Sequence, residues 1–311
     1  MTLLYYDPIF LQHNTGNHPE NSARLDPTIR HINSLAMASM YHRPSWPPAS
    51  LEQVQLVHTH AYFDDLKSFA NAGGGNLEQD TVVSQESFDV ALMAAGAVCD
   101  AVERVVRGES KTAFCLVRPP GHHALPNQAM GFCLFNNVAI GARVAIRELG
   151  IERVMIVDWD VHHGNGTQAM FWEDPLVAYF SIHRSPFYPY TGEANETGAG
   201  PGAGMTCNVP IEFGTPRQKQ LDSFEQKLTS FADEFAPQLI LISAGFDSHK
   251  DDPIGSLGLE TNDFRSMTAI VKTLAEKHCN GRIISVLEGG YNPIALAECV
   301  TCHLEELQET P

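Results

Sequence analysis

The chain has 311 residues, of which 43% are hydrophobic and 18% are charged, and this ordinary composition excludes a disordered or fibrous protein. Its formal net charge of −17 argues against a nucleic-acid binder, because phosphate contacts require clustered Lys and Arg. The length allows one large α/β domain with a sizeable core.

Short apolar runs alternate with longer segments of helical period, a pattern typical of a mostly parallel sheet with helices on both faces. The predicted strands are Leu3–Tyr6, Thr112–Val117, Arg153–Val157, Val177–Ile182, Gln238–Ser243 and Arg282–Leu287. The predicted helices are Ser87–Arg107, Asn136–Leu149, Arg217–Glu234, Asn262–His278 and Pro293–Leu307. Ser87 and Asn262 are the predicted N-caps, and Gly108, Gly150 and Gly281 the predicted C-terminal glycines. We expect one domain over residues 1–311.

Two stretches, Tyr41–Ser50 and Ser185–Gly204, fit neither period, and irregular segments of this length indicate functional rims. The second ends in "GAGPGAG", whose glycines do not fit the dinucleotide-binding pattern GxGxxG and indicate tight turns. Cys299, Cys302 and His303 match the haem-attachment pattern CxxCH, but they fall in a predicted helix and no export signal accompanies them. We therefore expect neither cofactor.

Seven cysteines, an odd number, indicate reduced thiols and not a disulfide framework. The N-terminal residues carry no Lys or Arg before their apolar run, and no apolar stretch approaches the ~18 residues of a membrane span. We expect a cytoplasmic protein without membrane or nucleic-acid partners.

Polar side chains follow four of the predicted strands. Ligands bind beyond the carboxyl ends of strands in such sheets, so these side chains predict a site. In chain order they are His122, His123, Asp158, Asp160, His162, Asp247 and Tyr291. Alternation along an extended chain points Asp160 and His162 the same way, which supplies two metal ligands, and Asp247 is the expected third.

Two carboxylates and one imidazole leave a coordination position open for water or substrate, which is typical of a catalytic metal site. Mixed nitrogen and oxygen ligands suit zinc, while iron, cobalt and manganese stay open as alternatives.

Six motifs in order resemble the histone deacetylase and acetylpolyamine amidohydrolase superfamily, on its class II side. They are "HPENSARL", "RPPGHHA", "GFCLFNN", "VDWDVHHGNGT", "SAGFDSHKDDP" and "EGGYN". The resemblance implies a three-layer, arginase-like α/β fold, a zinc ion held by Asp160, His162 and Asp247, and hydrolysis of an acylated amine.

The resemblance also implies roles for the remaining residues at the strand ends. His122 and His123 handle protons, with Asp158 and the neutral Asn165 as their respective partners, and Tyr291 donates to the oxyanion. We expect His123 to act as the base, because histidine exchanges protons near neutral pH.

Three further sites come from the resemblance alone. The residues implied at the acyl-lysine tunnel are Gly131, Phe132 and Tyr188, with Asp80 at its rim. Ile254 stands where the polyamine-preferring relative has a glutamate, which favours acyl-lysine in peptides or proteins over acetylpolyamines. A monovalent cation, expected to be K⁺, is implied at Asp158, Asp160, His162, Ser181 and Ile182.

Three other functions remain as alternatives. An acetylpolyamine deacetylase would use the same site, and a protein that binds acylated amines without catalysis would not need His122, His123 and Tyr291 together. A two-metal ureohydrolase wants a carboxylate two residues beyond His162, where this chain has Gly164. The physiological substrate, acyl length, oligomeric state and cellular metal stay open.

Overall fold

A computed structural model describes residues 1–35 and 39–308 of the chain. Nine strands occur in that part of the chain. In chain order they are β1 (Leu3–Tyr5), β2 (Gly75–Asn76), β3 (Val82–Val83), β4 (Thr112–Cys115), β5 (Val154–Asp158), β6 (Val177–Arg184), β7 (Thr206–Ile211), β8 (Leu239–Ala244) and β9 (Ile283–Leu287). All strands except β2 and β3 form one parallel sheet in the order β1-β4-β9-β8-β5-β6-β7, while β2 and β3 form a small antiparallel pair.

Helices connect these strands, as parallel pairing requires. They are α1 (Leu25–Ser34), α2 (Leu51–Val54), α3 (His60–Asn71), α4 (Ser87–Val106), α5 (Asn137–Leu149), α6 (Asn165–Phe171), α7 (Arg217–Phe235), α8 (Thr261–Cys279) and α9 (Pro293–Leu307). The long helices pack in two groups, α4 against α5, and α7, α8, α9 and α1 in succession. The predicted α/β class with a mostly parallel sheet is confirmed.

The central strands are buried because their side chains are apolar on both faces. Every residue of β5, β8 and β9 is buried, which explains why their sequences are mostly apolar and do not alternate with polar residues. The main core includes Trp159, and a second cluster beneath α3 includes Phe63 and Phe135. Each fully buried side chain of this size contributes about 2 to 3 kcal/mol by leaving water.

Two predicted N-caps are wrong. Ser87 is the first residue of α4, which Glu86 precedes, and its hydroxyl accepts from the Ser84 N–H instead. α8 starts at Thr261, and its N-cap is Glu260 instead of the expected Asn262. Glu260 and Asp263 exchange hydrogen bonds across the first turn.

The predicted C-terminal glycines all have positive φ. Gly150 ends α5 with a φ of 72° and donates to the Ala145 carbonyl. Gly108 and Gly281 follow the ends of α4 and α8, with φ values of 82° and 79°. The glycine-rich stretch forms a 3₁₀ turn over Gly200–Gly202, as its composition indicates.

Candidate active site

Three side chains converge where β5 and its neighbour β8 end. Asp160 and His162 follow β5, and Asp247 follows β8. Asp160 Oδ1 lies 3.0 Å from His162 Nδ1, and Asp247 Oδ2 lies 3.2 Å from the same nitrogen. All three residues are buried, and one ligand atom from each lies within 4.8 Å of the others.

The donor set fits a single divalent metal ion. Bonds of about 2.0 to 2.2 Å to a tetrahedral zinc place neighbouring ligand atoms about 3.3 Å apart, close to the two separations at His162 Nδ1. Among residues 1–35 and 39–308, Asp247 Oδ2 is one of the few buried side-chain atoms that accept no hydrogen bond. A buried carboxylate oxygen without a partner is costly, and a cation would satisfy it.

Electrostatics also favour a cation here. Burial, followed by the nearby Asp160 carboxylate, raises the pKa of Asp247 to about 7. Burial disfavours the charged form of His162, but the nearby carboxylates of Asp160 and Asp247 outweigh it and raise the pKa of the imidazole to about 9. Two carboxylates are thus crowded at one point, and a divalent ion would stabilise both of them in the charged form.

A pair of histidines lies beside these three residues, on the loop that follows β4. The rings of His122 and His123 are 4.0 Å apart between centroids. His122 Nδ1 lies 3.0 Å from Asp158 Oδ2, and His123 Nδ1 lies 2.8 Å from Asn165 Oδ1. Because an amide oxygen only accepts, His123 carries its proton on Nδ1 and leaves Nε2 free to accept another.

The two imidazoles differ in charge. Burial disfavours the charged form of His122, but the Asp158 and Asp160 carboxylates outweigh it and raise its pKa to about 10. Burial, followed by the charges of His122 and His162, holds the pKa of His123 well below its usual range. His122 is therefore an imidazolium at neutral pH, while His123 is a neutral base.

Tyr291 faces the same centre from the loop after β9. Its ring lies edge-on to Phe132, with 5.8 Å between centroids, and the Arg24 guanidinium carbon lies 4.8 Å from the centre of the phenol ring. Burial raises the pKa of Tyr291, although Arg24 opposes that shift, so the phenol keeps its proton. Tyr291 can therefore act as a hydrogen-bond donor.

Aromatic rings surround the approach to the histidine pair. The Tyr188 ring lies 5.3 Å from His123 and 6.1 Å from His162 between centroids. Gly131 has a φ of 54°, and a Cβ there would overlap the imidazole of His123. A side chain at position 131 would thus fill the space in front of His123.

The structure also places three of the residues expected at the tunnel and at the monovalent-cation site. Asp80 is half-buried, and its charge helps burial to raise the pKa of Tyr188. Ile254 is half-buried on the loop after Asp247, where its N–H donates to Asp252. Ser181 is the register partner of Asp158 in the β5–β6 pair, and its hydroxyl lies 2.8 Å from His183 Nδ1.

A model of the histone deacetylase domain matches residues 18–307. The chain belongs to the histone deacetylase family.

Relatives from bacteria and archaea support this membership over the full length. The chain is 36% identical to a histone deacetylase-like amidohydrolase of Pseudomonas aeruginosa, over 98% of this chain and 86% of that protein. It is 38% identical to a probable deacetylase of Archaeoglobus fulgidus, over 93% and 81%. A crystal structure of the HDA15 HD domain superimposes with a TM-score of 0.92 at 33% identity, covering 98% of this chain and 90% of that one.

Membership in the histone deacetylase family makes this protein a hydrolase that acts on amide bonds. The predicted superfamily, the three-layer fold and the enzyme class are therefore confirmed. In the described ranges 1–35 and 39–308, no helix has both the length and the apolar character needed to span a bilayer.

Sequence reasoning missed two buried charged residues at this histone deacetylase site. Glu288 accepts from the N–H groups of Gly121 and His122, at 2.7 and 3.2 Å, and so supports the loop of the histidine pair. It directly follows β9, so its position at a strand end was an available signal. Arg24 donates to the Gly290 carbonyl as well as covering Tyr291. It lies in the motif "HPENSARL", but that motif does not by itself assign a role to the arginine.

The motif "HPENSARL" near the N-terminus places its histidine and its glutamate in different environments. His18 lies near the surface, with its ring 4.4 Å from that of Phe132. Glu20 is instead buried, where it accepts from Arg118 and Arg24. The burial of all three charges explains why they pair.

Proposed function

We propose that this member of the histone deacetylase family is a zinc-dependent amidohydrolase that removes an acyl group, foremost acetyl, from acyl-lysine in peptides or proteins. The observation that carries the proposal is the convergence of Asp160, His162 and Asp247 beside two histidines, of which one is held positive and the other neutral. Groups that bind a cation and groups that move protons are both needed to hydrolyse an amide, which is a poor electrophile.

Asp160, His162 and Asp247 would hold the zinc ion, which when bound polarises a carbonyl and acidifies water. His123 would take a proton from the attacking water on its free Nε2, because Asn165 occupies its Nδ1. It would then return a proton to the leaving amine.

Two other residues would stabilise the negative charge that develops on the carbonyl oxygen. The phenol of Tyr291 would donate a hydrogen bond, which is worth a few kcal/mol for one well-placed donor. His122, held positive by Asp158, would contribute its charge at short range. Neither residue needs to change its protonation state during the reaction.

Two residues at the entrance support acyl-lysine as the substrate. Ile254 is apolar, so it offers no charge to the distant ammonium group of a polyamine. Asp80 lies near Tyr188, where a carboxylate can accept from the backbone N–H groups of a peptide. Acetylpolyamine is the alternative substrate that the assay must test.

We also propose a K⁺ ion behind the zinc site, held by Asp158, Asp160, His162, Ser181 and Ile182. Supporting it, Asp158 at the end of β5 is the register partner of Ser181 within β6. Oxygen atoms of that kind suit hard cations.

The test is a parallel assay of the purified protein with its metal content measured. We expect about one zinc per chain and acetate release from an acetyl-lysine peptide, faster than release from acetylspermidine or acetylputrescine. Chelation should abolish turnover and added zinc should restore it. Asp247→Asn should lose both zinc and turnover while keeping its circular dichroism spectrum, because one ligand carboxylate is gone.

Three outcomes would contradict the proposal. Turnover that survives complete zinc removal would exclude the metal's role. Preference for acetylpolyamines would assign the alternative substrate. Peptide binding without turnover in the zinc-loaded protein would indicate a binding protein.

A further inference from the structure

The loop that carries Tyr188 is tied to the active-site segment by a chain of polar side chains. His163 follows the expected ligand His162 directly and points away from the ligand group. Its Nε2 lies 3.0 Å from Gln168 Oε1, and its Nδ1 lies 2.7 Å from Thr191 Oγ1. The contact thus reaches from one end of β5 to the loop between β6 and β7.

The chain of contacts ends on a carboxylate within that loop. Gln168 Nε2 donates to Glu196 Oε2 at 2.7 Å. Glu196 accepts in turn from the N–H groups of Gly192 and Glu193, at 3.2 and 3.1 Å. Because Gln168 directs its amide nitrogen to Glu196, its oxygen faces His163, which must donate from Nε2 and accept from Thr191 at Nδ1. The direction of each side-chain hydrogen bond from Thr191 to Glu196 is therefore defined.

A second histidine holds the same loop. His183 Nε2 donates to the Gly192 carbonyl at 3.0 Å, and its ring lies 4.8 Å from that of His163. Gly192 has a φ of 88°, and a Cβ there would lie 2.6 Å from both imidazoles. Only glycine allows the backbone to pack this closely on the two rings.

The tethered loop would form one wall of the acyl-lysine tunnel that the family resemblance implies. Phe187 stacks on His162, with 5.1 Å between ring centroids, and Tyr188 lies 5.3 Å from His123. The Tyr190 N–H donates to the Phe187 carbonyl, so both aromatic residues belong to one turn, which begins four residues before Thr191. Movement at Glu196 would therefore reach the ring that faces the acyl group.

We propose that Glu196, acting through Gln168 and His163, is a positioning residue that holds Tyr188 in the tunnel wall and thereby sets the choice between acyl groups. This inference rests on the proposed deacetylase function. A tightly held wall fits a short acyl group closely, whereas a loose wall loses contact with acetyl and admits longer chains. One methylene in a hydrophobic pocket changes discrimination by about 10-fold or more.

The test compares three variants of the zinc-loaded protein. Glu196→Ala removes the acceptor, Glu196→Gln keeps an acceptor oxygen, and Glu193→Ala removes the same charge from an exposed position in the same loop. We expect Glu196→Ala to raise the KM for an acetyl-lysine peptide about 10-fold, with kcat and zinc content within about 2-fold. Its preference for acetyl over a longer acyl group should fall, and Glu196→Gln should restore most of it.

Hydrogen exchange provides a readout that does not depend on activity. The backbone amides at positions 192 and 193 should exchange faster in Glu196→Ala and stay protected in Glu196→Gln and in Glu193→Ala. Identical exchange and identical acyl preference in both alanine variants would overturn the proposal. If the parent protein shows no deacetylation, the proposed function fails, while unchanged exchange in Glu196→Ala would by itself contradict the tether.

Discussion

At the scale of single residues, the neighbours His122 and His123 show how environment divides the work between identical side chains. Both are buried, yet a carboxylate faces Nδ1 of His122 and an amide faces Nδ1 of His123. The carboxylate stabilises a positive charge that the amide cannot, and the charge on His122 further disfavours a second one. The surroundings of His122 therefore favour the cation, and those of His123 favour the neutral base.

Tyr291→Phe is the sharpest test at this scale. We expect zinc content and the fold to be retained while kcat falls about 100-fold or more, because one donor to an oxyanion contributes roughly 3 kcal/mol. Steady-state kinetics with metal analysis would measure it. Near-normal turnover would remove the phenol from the mechanism, and Tyr190→Phe, at an exposed phenol of the tunnel loop, is the matched control.

At the scale of elements, the strands whose ends carry the site were easier to predict than the edge strand of the sheet and the helix caps. β7 (Thr206–Ile211) was missed because it contains Pro210, which argues against a strand. The structure explains this, since β7 is the last strand of the sheet and an edge tolerates a residue without an N–H. α1 was missed although its Pro27 falls in the first turn, where proline is tolerated.

Alanine substitutions at two glycines within helices are expected to destabilise the protein to different extents. A Cβ at Gly96 in α4 would overlap backbone atoms of Pro47 and Ala49, whereas at Gly141 in α5 it would meet the side-chain ends of Val98 and Leu241. Alanine favours helix by about 1 kcal/mol over glycine, but overlap with backbone cannot relax.

We therefore expect Gly96→Ala to destabilise the protein by about 2 to 3 kcal/mol and Gly141→Ala by less. Urea unfolding of both variants would measure the difference. Equal effects, or stabilisation by Gly96→Ala, would show that the segment before α2 moves freely.

At the scale of the whole molecule, the sheet is what brings distant residues to one site. Consecutive positions in the sheet order, β4-β9-β8-β5, deliver the histidine pair, Tyr291, Asp247 and the Asp160–His162 pair. All these strands run parallel, so their carboxyl ends lie at one edge. The prediction of one catalytic domain over residues 1–311 stays a prediction, as does cytoplasmic localisation.

Acid sensitivity of the folded state is a property of the core. His303, from the CxxCH match, is fully buried between Thr268 and Ser285, and burial lowers its pKa to about 3. Its usual pKa is about 6.5, so between pH 6.5 and about 3 the unfolded chain binds a proton on this histidine and the folded protein does not. The stability that comes from keeping His303 neutral is therefore present above pH 6.5 and is lost as the pH falls from there toward 3.

Between pH 6 and 4, we expect the free energy of unfolding of His303→Gln to fall by about 1.4 kcal/mol less per pH unit than that of the parent protein. Chemical unfolding at several pH values would show it. His42→Gln, at an exposed position, should keep the parent slope, and equal slopes in all three proteins would contradict this account.

The amino-acid sequence alone was enough to predict the fold class, the family and the polar residues at the strand ends, because local periodicity and short motifs depend on neighbouring residues. Three facts became evident only in the folded structure: which imidazole is held positive, that Arg24 covers Tyr291, and that Glu196 reaches His163 through Gln168. Those facts depend on distances between residues far apart in the chain, and on burial, which no local pattern records.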